Sequence, residues 1–280
     1  MKQELINREI KWLIDEKYKG KLGLKANLDI KKLKKGVPLA YLIGHQPFLG
    51  CQIDLKYRPL IPRVETEHWT EKAIEDIRKN KKEKIKCLDL FAGSGCIGIA
   101  ILKNTKNTTV YFADIKRKYL KQIKRNLELN KIPQSRYRII RSNIFNHTEV
   151  GLPYDYNIFN RTKVGFSYDY ILANPPYISL KERKMVQESV LNYEPRKALF
   201  AGGDGLKYIK EFLTEAKNYL NPEGKIYMEF GFGQKSAIEK IIRECHYRDY
   251  TFFKDQYDLW RYIIVKSEAR NPKSETDSNV

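Results

Sequence analysis

Three groups of residues have types and spacings suited to chemistry. In Asp89-Leu90-Phe91-Ala92-Gly93-Ser94-Gly95-Cys96-Ile97-Gly98 the glycines recur as Gly-x-Gly-x-x-Gly. Glycines so placed allow positive φ and let a ligand approach the backbone closely, and the helix that follows offers its N-terminus to a nucleotide-bearing cofactor. Read as structure alone, the same loop is a tight strand-to-helix turn. Asp114 closes the run Tyr111-Phe112-Ala113-Asp114; a carboxylate there accepts from both hydroxyls of a ribose, or caps the next helix. The third group, Ala173-Asn174-Pro175-Pro176-Tyr177, follows the apolar run Tyr168 to Leu172. Each proline lacks an N–H and fixes φ, so the strand must stop there with Asn174 held at its end.

This third group separates two cofactor classes. A dinucleotide and an adenosine-bearing methyl donor both fit the first two groups. Hydride transfer has no use for an Asn-Pro-Pro-Tyr corner, whereas methylation of a planar nitrogen does. Such a nitrogen is a poor nucleophile because its lone pair is delocalised. The side-chain oxygen of Asn174 and the carbonyl of Pro175 can both accept from a target NH₂, and Tyr177 can pack over the planar group. The nitrogen gains positive charge in the transition state and its proton leaves late, so no strong base is needed. Catalysis is then positioning plus electrostatic stabilisation. Cys96 lies in the glycine loop without a histidine near it in sequence, and is read as a small buried residue rather than a nucleophile.

The elements that must position these groups follow an α/β pattern. Strands at 85–91, 109–113 and 137–141 alternate with helices at 96–103 and 117–129, which implies a parallel sheet with right-handed crossovers. Ligands bind such sheets at the carboxyl ends of the strands. A long loop, 145–167, precedes the strand that begins at Tyr168; a helix at 205–220, a strand at 225–230, a helix at 234–245 and a strand pair at 250–253 and 259–265 follow. Ahead of the domain at 76–265, residues 1–75 read as a small docking region of two helices, a hairpin around Gly44 and Gly50, and a helix from His68 to Arg78 with Thr66 and its acidic neighbours as capping residues. Residues 266–280 read as a disordered tail.

Composition narrows the classes further. With 280 residues and 42% hydrophobic residues the chain can bury a core. No apolar run approaches the ~20 residues of a membrane span, and no signal peptide is evident. Four scattered cysteines without Cys-x-x-Cys spacing indicate reduced thiols, a cytosol-like compartment and no metal site. The formal charge of +19 suggests an anionic partner surface such as RNA, although lysines spread along the chain also serve solubility. A monomer is expected.

These residues resemble the HemK/PrmC family of S-adenosylmethionine-dependent methyltransferases, which modify the glutamine amide of the Gly-Gly-Gln loop in peptide chain release factors. The resemblance covers about residues 36–265. Besides the three groups above, it rests on Leu60-Ile61-Pro62-Arg63 with Glu65-Thr66-Glu67, Tyr193-Glu194-Pro195, Gly202-Gly203-Asp204-Gly205 and Glu229-Phe230-Gly231 with Gln234. It implies a Rossmann-like domain with a mostly parallel seven-stranded sheet and a small N-terminal domain of helices and a hairpin. It implies S-adenosyl-L-methionine as cofactor, with Phe91, Ala92, Gly93, Ser94 and Gly95 beside its methionine part, Asp114 on its ribose, Asn143 and Ile144 near its adenine, and Asn174 between cofactor and acceptor. It implies a release factor as partner, its glutamine held by Asn174, Pro175, Pro176 and Tyr177, with Arg63 and Glu65 at the entrance. Asn-Pro-Pro-Tyr is shared with adenine N6-methyltransferases of RNA and DNA, so the N-terminal segment is what favours glutamine. Asn143 stands where the family usually has an acid and Val64 where it commonly has a second proline; the N-terminal region is short and the loop 147–167 long for the family.

Overall fold

A computed structural model describes residues 2–147 and 167–268. Helices α1 (Lys2–Tyr18), α2 (Leu24–Lys34) and α3 (Leu39–Ile43) lead into a hairpin of β1 (His45–Phe48) and β2 (Cys51–Asp54), followed by α4 (Val64–Lys79). The main sheet then begins with β3 (Ile85–Leu90), α5 (Cys96–Asn104), β4 (Thr108–Asp114), α6 (Arg117–Leu129), β5 (Tyr137–Asn143) and a two-residue β6 (Asn146–His147). Next come β7 (Tyr168–Ala173), α7 (Glu188–Tyr193), α8 (Lys207–Ala216), β8 (Leu220–Glu229), α9 (Lys235–Glu244), β9 (Asp249–Lys254) and β10 (Trp260–Lys266).

The sheet order is β6-β5-β4-β3-β7-β8-β10-β9. Strands β5, β4, β3, β7 and β8 run parallel, while β10 and β9 close one edge antiparallel. The seven expected strands are all present, and β6 adds an antiparallel pairing of two residues at the opposite edge. All six residues of β7 are buried, as a central strand covered on both faces requires. One face packs on α4, α5, α6 and the hairpin through residues such as Trp69, Ile99 and Ile123; the other packs on α8 and α9 through Phe212 and Ile238. Leu13, Leu33 and Leu42 form a separate small cluster among α1, α2 and α3. No helix among the described residues is long and apolar enough to cross a membrane.

Several details differ from the expectations. Residues 39–43 form one helical turn ahead of the hairpin. Helix α4 begins at Val64 with Arg63 as its N-cap, so Thr66 lies inside the helix and buried, not at a cap. Residue 75, the expected end of the docking region, falls within α4, whose buried face shares the core of the main sheet. Of the loop expected at 145–167, residues 148–166 lie outside the described residues, as do 269–280 of the tail. Phe145 is buried and stacks on Tyr219 with ring centroids 4.4 Å apart.

Side-chain amides on α6 tie the hairpin to the sheet. Gln122, Asn126 and Asn130 recur every four residues, so they share one helix face. They accept from the backbone N–H groups of Tyr57, Asp54 and Gln52 at 2.8, 2.8 and 3.1 Å. Asn126 Nδ2 also donates to the carbonyl of Ser94 at 2.9 Å, so the edge of β2 is covered and anchored to the glycine loop in one ladder.

Candidate active site

The parallel strands β3 and β7 lie side by side, with Leu90 opposite Ala173. Chain direction reverses its order across the sheet at this pair, β4 and β5 lying to one side and β8 to the other. The loop after β3 and the corner after β7 therefore emerge together at the carboxyl edge, where open α/β sheets bind ligands. The glycine loop and Asn174 meet for this reason, although 80 residues of sequence separate them.

The loop is strained and held. Phe91 has φ +61°, rare for a non-glycine residue, and Gly93 and Gly95 have φ +55° and +79°. Ala92 N–H donates to the carbonyl of Ala113 at 3.0 Å and Gly93 N–H to Asp114 Oδ2 at 2.9 Å, which fastens the loop to the end of β4. Gly98 N–H donates to the buried Asp89 at 2.9 Å. A Cβ on Gly98 would sit 2.4 Å from the Phe112 ring, so this third glycine exists to let α5 lie against β4. Burial pushes the Cys96 thiol up to about 12, which keeps it protonated.

Phe91, Asp114, Asn143, Ile144 and Pro176 line a cavity of about 790 Å³. Ile144 also has positive φ, +53°, so two strained non-glycine residues border this one cavity. Asp114 is 9% exposed, and burial raises its carboxyl to about 6 against the pull of N–H donors from Lys116 and Gly93. Of the loop, Phe91 lines this cavity while Ala92, Gly93, Ser94 and Gly95 do not border it, Ala92 and Ser94 being buried.

A second cavity, about 640 Å³, is lined by Arg63, Asn174, Pro175, Tyr177, Glu194 and Glu229 among others. Ala198 borders both cavities. The corner is the partition, with Pro176 facing the first cavity and Asn174, Pro175 and Tyr177 facing the second. Asn174 is half-buried, and its Nδ2 donates to Thr66 Oγ1 at 3.1 Å. The Tyr177 hydroxyl donates to Glu229 Oε1 at 3.1 Å, and the Tyr177 carbonyl accepts from Gln234 Nε2 at 2.8 Å. Burial, reinforced by Glu229, raises the Tyr177 phenol far above its ordinary value, so it stays a donor. Gly205 backs this corner: a Cβ there would lie 2.2 Å from the Tyr177 carbonyl.

The N-terminal segment contributes differently from expectation. Arg63 lines the second cavity with its guanidinium paired to Glu194 at 2.5 Å, and Ile61 N–H donates to the other Glu194 oxygen at 3.2 Å. Glu65 borders neither cavity. The residue between Glu65 and Glu67, Thr66, is the one that reaches Asn174. The sequence suggests a capping role for Thr66 and none for Glu229 or Glu194; the signal it does carry is an acid ending the apolar run of β8.

The Methyltransferase small domain family matches residues 70–251. The chain is 33% identical over 265 residues to the release factor glutamine methyltransferase of Fusobacterium nucleatum, covering 95% of this chain and 68% of the relative. A protein of the same name from Lactococcus lactis is 31% identical over 76% of this chain and 71% of its own. The chain belongs to the release factor glutamine methyltransferase family. Among solved structures, the N-terminal domain of human METTL16 in complex with SAH is similar in fold, with a TM-score of 0.53, 15% identity and coverage of 79% of this chain and 77% of that one.

The first cavity fits the methyl donor of such a family. It combines an apolar wall, to which the strained Phe91 contributes, with a buried acceptor, Asp114. The two substitutions in the family's pattern fall on the periphery: Asn143 is exposed at the cavity wall, and Val64 is 49% exposed at the start of α4.

Proposed function

We propose that this chain transfers the methyl group of S-adenosyl-L-methionine to the side-chain amide nitrogen of the glutamine in the Gly-Gly-Gln motif of peptide chain release factors. The observation that carries this reading is the partition of two cavities by the Asn174-Pro175-Pro176-Tyr177 corner in a chain of this family. The methyl donor, when bound, supplies an electrophilic methyl group on a sulfonium. Asp114 would accept from ribose hydroxyls, Phe91 would stand beside the methionine part with Ala92, Gly93, Ser94 and Gly95 carrying the loop behind it, and Asn143 and Ile144 would flank the adenine. In the second cavity, Asn174 Oδ1 and the Pro175 carbonyl accept from the glutamine NH₂, and the Tyr177 ring packs on its planar amide. Two oriented carbonyls fix the nitrogen in line for attack and stabilise the positive charge it acquires. Pro176 closes the donor side. Arg63, held by Glu194, would shape the entrance for the peptide, with Glu65 on the first turn of α4 proposed beside it.

Residues 1–75 form the proposed docking region, and the net charge of +19 supports an anionic surface on the partner complex. The four cysteines are free, in keeping with the reducing cytoplasm where release factors act, and the protein is proposed to work as a monomer.

The decisive assay incubates the protein with methyl-labelled S-adenosylmethionine and a release factor, its Gly-Gly-Gln glutamine intact or replaced by alanine, or with RNA and DNA. Label should enter the intact release factor alone. Label that persists after replacement of the glutamine, or that enters adenine in nucleic acid, overturns the assignment.

A further inference from the structure

The direction of the hydrogen bonds behind Asn174 has a consequence for the reaction. An asparagine amide has two faces of opposite polarity, and only its oxygen can accept from an NH₂ acceptor group. Methyl transfer as proposed above needs Oδ1 turned to the second cavity and Nδ2 turned away. The hydrogen bonds that Asn174 makes on its other side bear on this orientation.

Glu229 is 2% exposed at the end of β8, and its Oε2 lies 2.7 Å from both Trp69 Nε1 and Thr66 Oγ1. The indole nitrogen can only donate, so Oε2 accepts from it, and as a carboxylate oxygen it accepts from the Thr66 hydroxyl as well. Thr66 carries a single hydroxyl proton, and a 2.7 Å approach to an acceptor oxygen demands that this proton lie between them. The lone pairs of Thr66 Oγ1 are then the only feature left for Asn174, which must present Nδ2 at 3.1 Å. A flipped Asn174 would set two oxygens against each other with no proton between them. The far oxygen, Oε1, accepts from the Tyr177 hydroxyl at 3.1 Å, so one buried carboxyl group braces both polar side chains of the corner.

We propose that Glu229, acting through the Thr66 hydroxyl, is a positioning residue that selects which end of the Asn174 amide faces the acceptor nitrogen. This inference rests on the methyl-transfer reading and deepens it. Neither Glu229 nor Thr66 takes part in the transfer. Their effect is to remove the unproductive amide orientation before the acceptor arrives, which is preorganisation of the kind that raises turnover rather than affinity.

The test compares wild type with Thr66→Val, Thr66→Ser, Glu229→Met, Glu229→Gln and the double variant Thr66→Val/Asn174→Ala, reading kcat, KM for the release factor, cofactor Kd and Tm. Thr66→Val leaves Nδ2 without a partner and lets it turn toward the wet cavity, so kcat should fall about 10–100-fold with KM and cofactor Kd within about twofold. Thr66→Ser should restore the loss. Glu229→Met should lose turnover similarly, and Glu229→Gln should recover it, because a glutamine keeps its carbonyl toward Trp69 and Thr66 and donates to the Tyr177 oxygen. In the Asn174→Ala background, Thr66→Val should cost nothing further. Folded Thr66→Val turning over within twofold of wild type, or costing as much without Asn174 as with it, overturns the inference. Should Thr66→Val melt too low to assay, the Met and Gln pair decides alone, and equal turnover of those two overturns it. Wild-type inactivity on the release factor removes the functional reading instead, so the two failures are distinct.

Discussion

Asn174→Ala should separate catalysis from cofactor binding. Asn174 borders the second cavity and not the first, so its truncation leaves the wall around Asp114 and Phe91 intact. Removing one preorganised partner of the developing charge in a polar-group site costs about 10²–10³-fold in turnover, or about 2.7–4 kcal/mol. The Pro175 carbonyl remains in place, which points to the lower end, about 100-fold. Stability should suffer less. The lost contact is one neutral hydrogen bond to Thr66 at 3.1 Å, worth about 1 kcal/mol, which in a chain of this size lowers Tm by about 2–4 °C. Single-turnover transfer of labelled methyl to a release factor, with cofactor Kd by titration calorimetry and Tm by calorimetry, gives all three numbers. A cofactor Kd weakened more than tenfold while saturated turnover survives would refute the reasoning, since Asn174 would then serve the donor and not the acceptor.

Three further predictions follow from buried groups and surface charge. Asp114 is held at about 6, above its ordinary 3.8, because burial disfavours the carboxylate. Its ionisation therefore costs folding stability as pH rises from about 4 through 6, while ribose binding needs the ionised acceptor; cofactor Kd should rise as pH falls below about 6, and Asp114→Asn should bind weakly without that inflection. A pH-independent Kd between 5 and 8 in wild type would contradict this role. Gly98→Ala should destabilise by about 1–3 kcal/mol in thermal melts, because its Cβ would meet the Phe112 ring at 2.4 Å and Val110 at 2.8 Å; an unchanged Tm would show that α5 can shift freely off β4. KM for the release factor should rise between about 50 and 200 mM salt if the +19 charge steers docking, with kcat unaffected; a flat salt profile would leave the lysines to solubility alone.

The parallel core was legible because its signals are local. β7 is a continuous apolar run ended by two prolines, and α6 keeps its apolar face at helical spacing from Arg117 to Leu129, the bounds the periodicity predicts. Asp114 and the glycine loop were legible for the same reason, each standing where a strand ends. Boundaries slipped where a segment serves two purposes: α4 begins at Val64 instead of His68 because its first turn is buried against the sheet by Thr66, and the expected helix from Gly205 starts at Lys207 because Gly205, with φ +77°, belongs to the turn against Tyr177. The amide ladder of Gln122, Asn126 and Asn130 reads in sequence as an ordinary polar face, and only the hairpin seated against it shows that these residues are buried.

By itself the sequence determined the pieces of the candidate site: an asparagine pinned at a strand end by two prolines, an acid at the end of another strand, and glycines in a tight strand-to-helix loop. Those depend on backbone chemistry within a few residues. What the tertiary structure alone decided is how they act on one another. The order of strands sets Leu90 beside Ala173 and so brings the glycine loop and the Asn174 corner to one edge. The packing of α4 across β8 carries Thr66 and Trp69 to Glu229, 163 and 160 residues away along the chain. Hydrogen-bond direction is a property of three groups in contact, and no spacing along a chain encodes it; the orientation of Asn174 belongs to the fold.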